Sequence, residues 1–494
     1  MNGITNKTQQ ILQHEWSVIP VTLLAIGLRI YRLSAQPLWL DEIYTMQLVQ
    51  EGPLAILRNS QLDQTPSGFY LLQWLATGFG SVGSEWGWRW LSVCSGCLAI
   101  PLLYMLCRRF TGRMAASLAA LTLAVSPFHI YYSQEGRTYA FLVLLALVAT
   151  LTIAKILENP KPGRGWFAIA LLSLVGQACS VFYLLINAVQ GLVLFLGARR
   201  RTWWLYAGCI VGISALTAWV MMPPLISSAN REIYFFLSPL SALQALAGET
   251  ARLTIGWHHW MLAGVIGILA AVGIFYALVH IKKYSLAAYL GLQLLLAGVF
   301  IFVVLPLVGV RLPTYQSRQL LMLLPALLGL MALGLDLIQR RFGWRYPAFL
   351  CGVILLASGV GINAFWQYDK SPEGTLAQRI GTELQTDDVV VSLHYSTTAG
   401  VYAYLPQADA WVYRGEKDGE HQFDQELRLY QVALLRPRPT NKTTLAVLHN
   451  YDRVWVLGRE IADLELVTAL MNQCTLVKQE IVKPFEAWLW ERCR

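Results

Sequence analysis

Residues 89–141 read RWLSVCSGCLAIPLLYMLCRRFTGRMAASLAALTLAVSPFHIYYSQEGRTYAF. Two apolar stretches, near 86–107 and 114–131, are separated by Arg108, Arg109 and Arg113 and followed by the polar turn Ser133-Gln134-Glu135-Gly136-Arg137. A helix rises about 1.5 Å per residue, so about 20 apolar residues cross a hydrocarbon core of about 30 Å. Each stretch fits one crossing. The pattern is a membrane hairpin with cations at one end and an acid at the other.

The same ruler extends outward. The chain has 494 residues, 56% hydrophobic and only 14% charged, where a soluble chain carries about a quarter charged residues. Further spans fall near 14–31, 138–157, 166–182, 183–198, 203–222, 260–280, 284–306, 318–338 and 346–366, eleven in all. The remaining basic clusters are Lys155, Lys161 and Arg164; Arg199, Arg200 and Arg201; Lys282 and Lys283; and Arg340, Arg341 and Arg345. With a cytoplasmic N-terminus every cluster lands inside, the positive-inside pattern. The net charge of +9 therefore needs no nucleic acid. The first span follows the polar start MNGITNKTQQ with no small-residue cleavage site, so a retained helix is expected rather than a signal peptide. The segment SGFYLLQWLATGFG, 67–80, covers only about 21 Å as a helix. Counted as a span it would put the next arginines outside, so it is expected to lie along the outer surface.

This topology sends loops 32–85, 132–137, 223–259 and 307–317 to the outer face, with everything after about residue 367. The expected domains are a transmembrane region, 1–366, and an extracytoplasmic tail, 371–494. In the tail DDVVVSLHY, DRVWVLG, TLVKQEIV and FEAWLWERC read as strands, EGTLAQRIGTEL and ELVTALMNQ as helices. That alternation predicts a small α/β domain.

Two acidic groups then share the outer face. One is QPLWLDEIYTM, 36–46, with Asp41 and Glu42; the other is YYSQEGRTYAF, 131–141, with Glu135, Arg137 and Tyr139. Helix capping and an ion pair within the second group are the structural alternatives. An ionisable group at membrane depth is costly, which makes each a candidate for function. An outward carboxylate can deprotonate an acceptor hydroxyl or ligate a divalent cation. An anionic lipid donor needs cations for its phosphate, and Arg58, Arg231, Arg252, Arg311 and Arg318 lie outside against the charge bias. Asp41 and Glu135 are expected to line one outward cavity, with at least one of these arginines pointing into it.

At these residues the sequence resembles the C-type membrane glycosyltransferases, in the protein-mannosyltransferase and aminoarabinose-transferase-like branch. LWLDEIYTM looks like the family's acidic first-loop motif, and 89–141 resembles its second to fourth spans with the Ser-Gln-Glu-x-Arg turn. DQTPSGFYLLQWL is similar to a loop that usually carries His-Pro-Pro, here Thr65-Pro66-Ser67. SRQLLMLLPALLGL looks like a late Arg-aromatic segment, with Gln319 at the aromatic position. The resemblance implies a polyprenyl-phosphate sugar donor, an acceptor that is a lipid, protein or glycan, and inverting transfer on the outer face. It implies Asp41 as general base, Glu42 as its orienting neighbour, Glu135 as second-loop acid, and Arg137 and Tyr139 as supports or substrate contacts. No cofactor is required by this reading, though a divalent cation stays open.

Two other classes compete: a transporter or lipid flippase, and a non-catalytic partner in polysaccharide export. Transporters concentrate charge near mid-membrane on repeated, broken helices, whereas here it gathers at the outer mouth without a repeat. Cys94 and Cys97 have no second pair at zinc spacing and read as packing residues. Adjacent His258 and His259 would point to different helix faces. Finally, Cys474 and Cys493 are equidistant from Lys483-Pro484, so a tight hairpin there would oppose them as a disulfide.

Overall fold

The computed structural model describes residues 16–60, 65–158, 164–197, 208, 212, 260–299, 316–393, 395–406, 408–412, 451–459 and 465–492. They divide into two compact units. A helical unit comprises Met1–Tyr31, Gln64–Phe69 and Arg89–Gln367, and a mixed unit comprises Arg32–Asp63, Tyr70–Trp88 and Tyr368–Arg494. The loop placed by sequence with the transmembrane region thus groups with the tail.

Apolar helices make the first unit because a backbone in hydrocarbon must satisfy its own hydrogen bonds. Among the described residues, five helices are long and apolar enough to cross a membrane: Glu85–Cys107, Tyr139–Glu158, Leu262–Val279, Arg318–Phe342 and Arg345–Gln367. A sixth is formed if Arg113–Val125 and Pro127–Ser133, bent by 57° at Ser126, count as one. Four further expected spans fall on shorter apolar helices, Val18–Ile30, Arg164–Cys179, Val181–Leu194 and Ser285–Val299. Span 203–222 lies outside the described residues apart from Gly208 and Gly212. Residues 67–80 form helix Ser67–Ala76 and a turn.

Helices Trp260–Val279 and Leu324–Phe342 approach backbone to backbone. A Cβ on Gly334 would lie 2.1 Å from the Leu269 carbonyl oxygen, and one on Gly273 2.2 Å from that of Leu330. Small residues at such crossings replace the missing hydrophobic drive with close packing. Gly334→Ala is therefore expected to lower stability by about 1–3 kcal/mol. Gly267→Ala, with nothing within 4 Å of the new atom, should be neutral. Thermal unfolding in detergent compares them, and equal midpoints would refute the close crossing.

Among the described residues the mixed unit contains a five-stranded sheet. Its strands are β1 Val389–Ser392, β2 Asp409–Val412, β3 Arg453–Gly458, β4 Thr475–Val482 and β5 Phe485–Glu491, in the order β2-β1-β3-β5-β4. β1 runs parallel to β2 and β3, and β5 antiparallel to β3 and β4. Both faces of the centre are covered, so β3 reads as an unbroken apolar run. Val454, Val456 and Trp490 pack with Val467 and Leu470 of helix Glu465–Gln473. Trp455 and Leu489 pack with Leu376 and Ile380 of helix Pro372–Gly381. β4 is an edge, and its side chains are largely half-exposed or exposed up to Val482. Strand β2 and helix Tyr395–Tyr404 carried no expected assignment. Residues of the first loop, Leu38, Ile43, Tyr44, Leu48 and Ile56, share a further core with Tyr70, Trp88 and Ala399.

The β4–β5 hairpin turns at Lys483-Pro484, with Val482 opposite Phe485 and Lys478 opposite Leu489. The register then shifts between Leu476 and Lys478, so Thr475 faces Glu491. The symmetric count about Lys483-Pro484 is thus displaced by one residue at Thr475, as a bulge does. Cys474 is disulfide-bonded; Cys493 lies outside the described residues. We propose Cys493 as its partner. Non-reducing peptide mapping should recover the two as one linked pair, and a link to Cys209 would overturn it.

Candidate active site

The acid pair sits at a helix start. Trp39 is extended and caps helix Leu40–Gln50, putting Asp41 and Glu42 in the first turn, where negative charge complements the helix dipole. The Glu42 carboxylate accepts the Trp39 amide at 3.3 Å, half of a capping box, and is 1% exposed. Asp41 is only half-buried. Its backbone carbonyl accepts the Thr45 hydroxyl at 2.8 Å. Glu42 thus has a structural part, and Asp41 is the member of the pair that solvent reaches.

The chain before this helix is tied along its length to residues 368–373. Gln36 donates to the Tyr368 carbonyl at 2.7 Å and accepts the Lys370 amide at 3.2 Å. Leu38 donates its amide to the Tyr404 hydroxyl, and its carbonyl accepts Ser371 Oγ at 2.8 Å. The Leu40 amide donates to Glu373 Oε1 at 3.1 Å. Burial pushes the Glu373 carboxyl up to about 7; its own and the Leu40 amides oppose the rise, and the charges of Asp369 and Asp41 add to it. Sequence reading missed Glu373, whose only local signal, Ser371-Pro372-Glu373, is that of a helix start.

In the helical unit the Ser133–Arg137 turn is built from the inside. Gln134 Nε2 donates to the carbonyls of Arg29 and Tyr31, each at 2.9 Å, capping helix Val18–Ile30. Ser133 Oγ donates to the His129 carbonyl at 2.6 Å, and Ser92 Oγ to the Arg137 carbonyl at 3.0 Å. The turn is thereby fixed with Glu135 fully buried and Arg137 and Tyr139 nearly so. The Arg318 guanidinium lies 5.5 Å from the Tyr139 ring centre, a cation–π contact.

Sequence reading also missed Arg29, fully buried in the first apolar helix. It donates to the carbonyls of Ala25, Leu123 and Ala124 at 3.1, 3.2 and 3.0 Å, and to Ser133 Oγ at 3.3 Å, and it meets His129 Nδ1 at 2.6 Å. Pro127 explains the acceptors. It has no N–H for Leu123, and the bend at Ser126 withdraws the partner of Ala124.

Asp41, Glu42 and the exposed Arg58 fall in the mixed unit, and Glu135, Arg137, Tyr139 and Arg318 in the helical one. Arg231, Arg252 and Arg311 lie outside the described residues. Among the described residues no three His, Cys, Asp or Glu side chains are grouped to hold a metal.

Comparison with known proteins adds to this geometry. Residues 63–226 match the family described as dolichyl-phosphate-mannose-protein mannosyltransferase. ArnT from Cupriavidus metallidurans superposes in its apo state with a TM-score of 0.59 at 14% identity, covering 96% of this chain and 97% of that one. With undecaprenyl phosphate bound, ArnT gives 0.60 at the same identity, covering 96% and 98%. The chain shares the fold of ArnT. The Archaeoglobus fulgidus oligosaccharyltransferase crystallised with zinc and sulfate also superposes, with a TM-score of 0.52 at 12% identity over 89% of this chain and 67% of that one. No curated protein matches at the sequence level. The resemblance drawn from the motifs therefore stands beside a family match over residues 63–226 and a fold match to ArnT.

Proposed function

We propose that the protein is a multi-pass membrane glycosyltransferase that moves a sugar from a polyprenyl-phosphate donor to an acceptor hydroxyl, with inversion at the anomeric carbon. The observation that carries this reading is the acid pair at the start of helix Leu40–Gln50, one carboxylate buried as a cap and Asp41 left half-exposed, on a fold shared with ArnT. The ArnT complex with undecaprenyl phosphate supports the donor class. Asp41 takes the acceptor's proton as the acceptor oxygen bonds to the anomeric carbon, and the bond from that carbon to the phosphate oxygen breaks. The lipid phosphate departs with the electron pair, so cations serve it better than a general acid. Arg137 and Arg318, with Tyr139, are the described candidates; Glu135 is the second acid of the reaction. The basic clusters set the orientation, with eleven spans, the acids and the tail on the outer face.

The deciding experiment is mass spectrometry of lipid-linked sugars from a strain deleted for this chain. Accumulation of one polyprenyl-phospho-sugar, together with an acceptor that loses that sugar, supports the reading and names both substrates. An unchanged lipid profile with unchanged glycans refutes it.

A further inference from the structure

The first turn of helix Leu40–Gln50 gathers more acid than its own motif contains. Glu373 enters from the start of helix Pro372–Gly381, 333 residues away in sequence, and its carboxylate accepts the Leu40 amide at 3.1 Å. It is 6% exposed. Its backbone is held: Ser371 Oγ accepts the Gly374 amide at 3.3 Å and donates to the Leu38 carbonyl at 2.8 Å. The carboxyl is thus fixed to the amide one residue before Asp41.

We propose that Glu373 is a positioning residue for Asp41: it fixes the turn that carries Asp41 and stands beside it as a second acid. The inference rests on the reading of Asp41 as the base. A like charge nearby disfavours ionisation. The Asp41 charge therefore adds to what keeps the buried Glu373 carboxyl protonated. A buried carboxyl of this kind changes state around neutral pH. Among the described residues, the charged groups that act on Glu373 are Asp41 on the helix it caps and Asp369 on the preceding segment. Tyr404 of helix Tyr395–Tyr404 stands over the same loop, and its hydroxyl reaches Glu85 at 3.4 Å.

The test reads the carboxyl itself. Full-length protein in lipid nanodiscs is titrated by pH-difference infrared spectroscopy as wild type, Glu373→Gln and Asp41→Asn. Wild type should show a protonated-carboxyl band titrating near pH 7, and Glu373→Gln should lack it. Asp41→Asn should keep the band with its midpoint about half a unit lower, the neighbouring charge being gone. Glu373→Gln retains an oxygen to accept the Leu40 amide, so it should fold. If it does not, the Asp41→Asn midpoint still decides, because Glu373 is intact there. An unmoved midpoint in Asp41→Asn, or a wild type without such a band, overturns the proposal. The base reading fails separately: an Asp41→Asn strain with a wild-type lipid-linked sugar profile removes it. An Asp41→Asn strain that accumulates donor while its infrared midpoint is unmoved removes only the coupling to Glu373.

Discussion

An Asp41→Asn variant is expected to keep its fold and to lose transfer, with kcat down by about 10²–10⁴-fold, the usual contribution of a positioned general base. The substitution is nearly isosteric, and the helix start is held by Glu42 and Glu373 through the Trp39 and Leu40 amides. Donor binding should therefore be unchanged, so the loss belongs to turnover rather than to KM. Glu42→Gln should divide the other way. Its carboxylate caps the helix and is buried, so the thermal midpoint falls by an amount set by a lost charged cap, about 0.5–2 kcal/mol, and turnover falls less than with Asp41→Asn. Turnover is measured on the donor and acceptor identified from the deletion strain. A fully active Asp41→Asn protein would return the acid pair to a purely structural role.

The second large effect is on stability. Arg29→Met is expected to cost at least about 3 kcal/mol, since it strips a buried cation from its acceptors. The Leu123 and Ala124 carbonyls, already without helical partners because of Pro127, would lose Arg29 as well. Each buried carbonyl so stranded costs about 1–3 kcal/mol. Arg29→Lys should recover part of this, because an ammonium has three donors against five. The readout is the thermal midpoint in nanodiscs and the yield of monodisperse protein. A methionine variant as stable as wild type would show that water replaces the guanidinium.

Much of this was legible because its signals are local. The apolar spans, the arginine clusters between them and the LWLDEIYTM and SQEGR stretches are each readable within about twenty residues. The turn at Lys483-Pro484 is local too, and the hairpin centres there. What the sequence hid depends on distant partners. Arg29 in an apolar helix looks like a snorkelling end; two of its acceptors are 95 and 94 residues away, exposed by a proline that leaves no mark near Arg29. Glu373 reads as an ordinary first-turn acid until Leu40 is seen against it. The bulge between Leu476 and Lys478 likewise answers to the twist of the sheet, not to a residue that announces it.

The shared core of the first loop and the tail bears on how this chain is made and recombined. Leu38, Ile43, Tyr44 and Leu48 bury against Ala399, and the start of their helix is pinned by Ser371, Glu373 and Tyr404. A ribosome delivers those partners more than 300 residues after Asp41, so the acid pair can reach its final setting only late in synthesis. A chimera that exchanges the first loop without the tail, or the tail without the loop, would split one core between two parents. Segments 32–88 and 368–494 should therefore be exchanged together, as a single cassette written in two places in the gene.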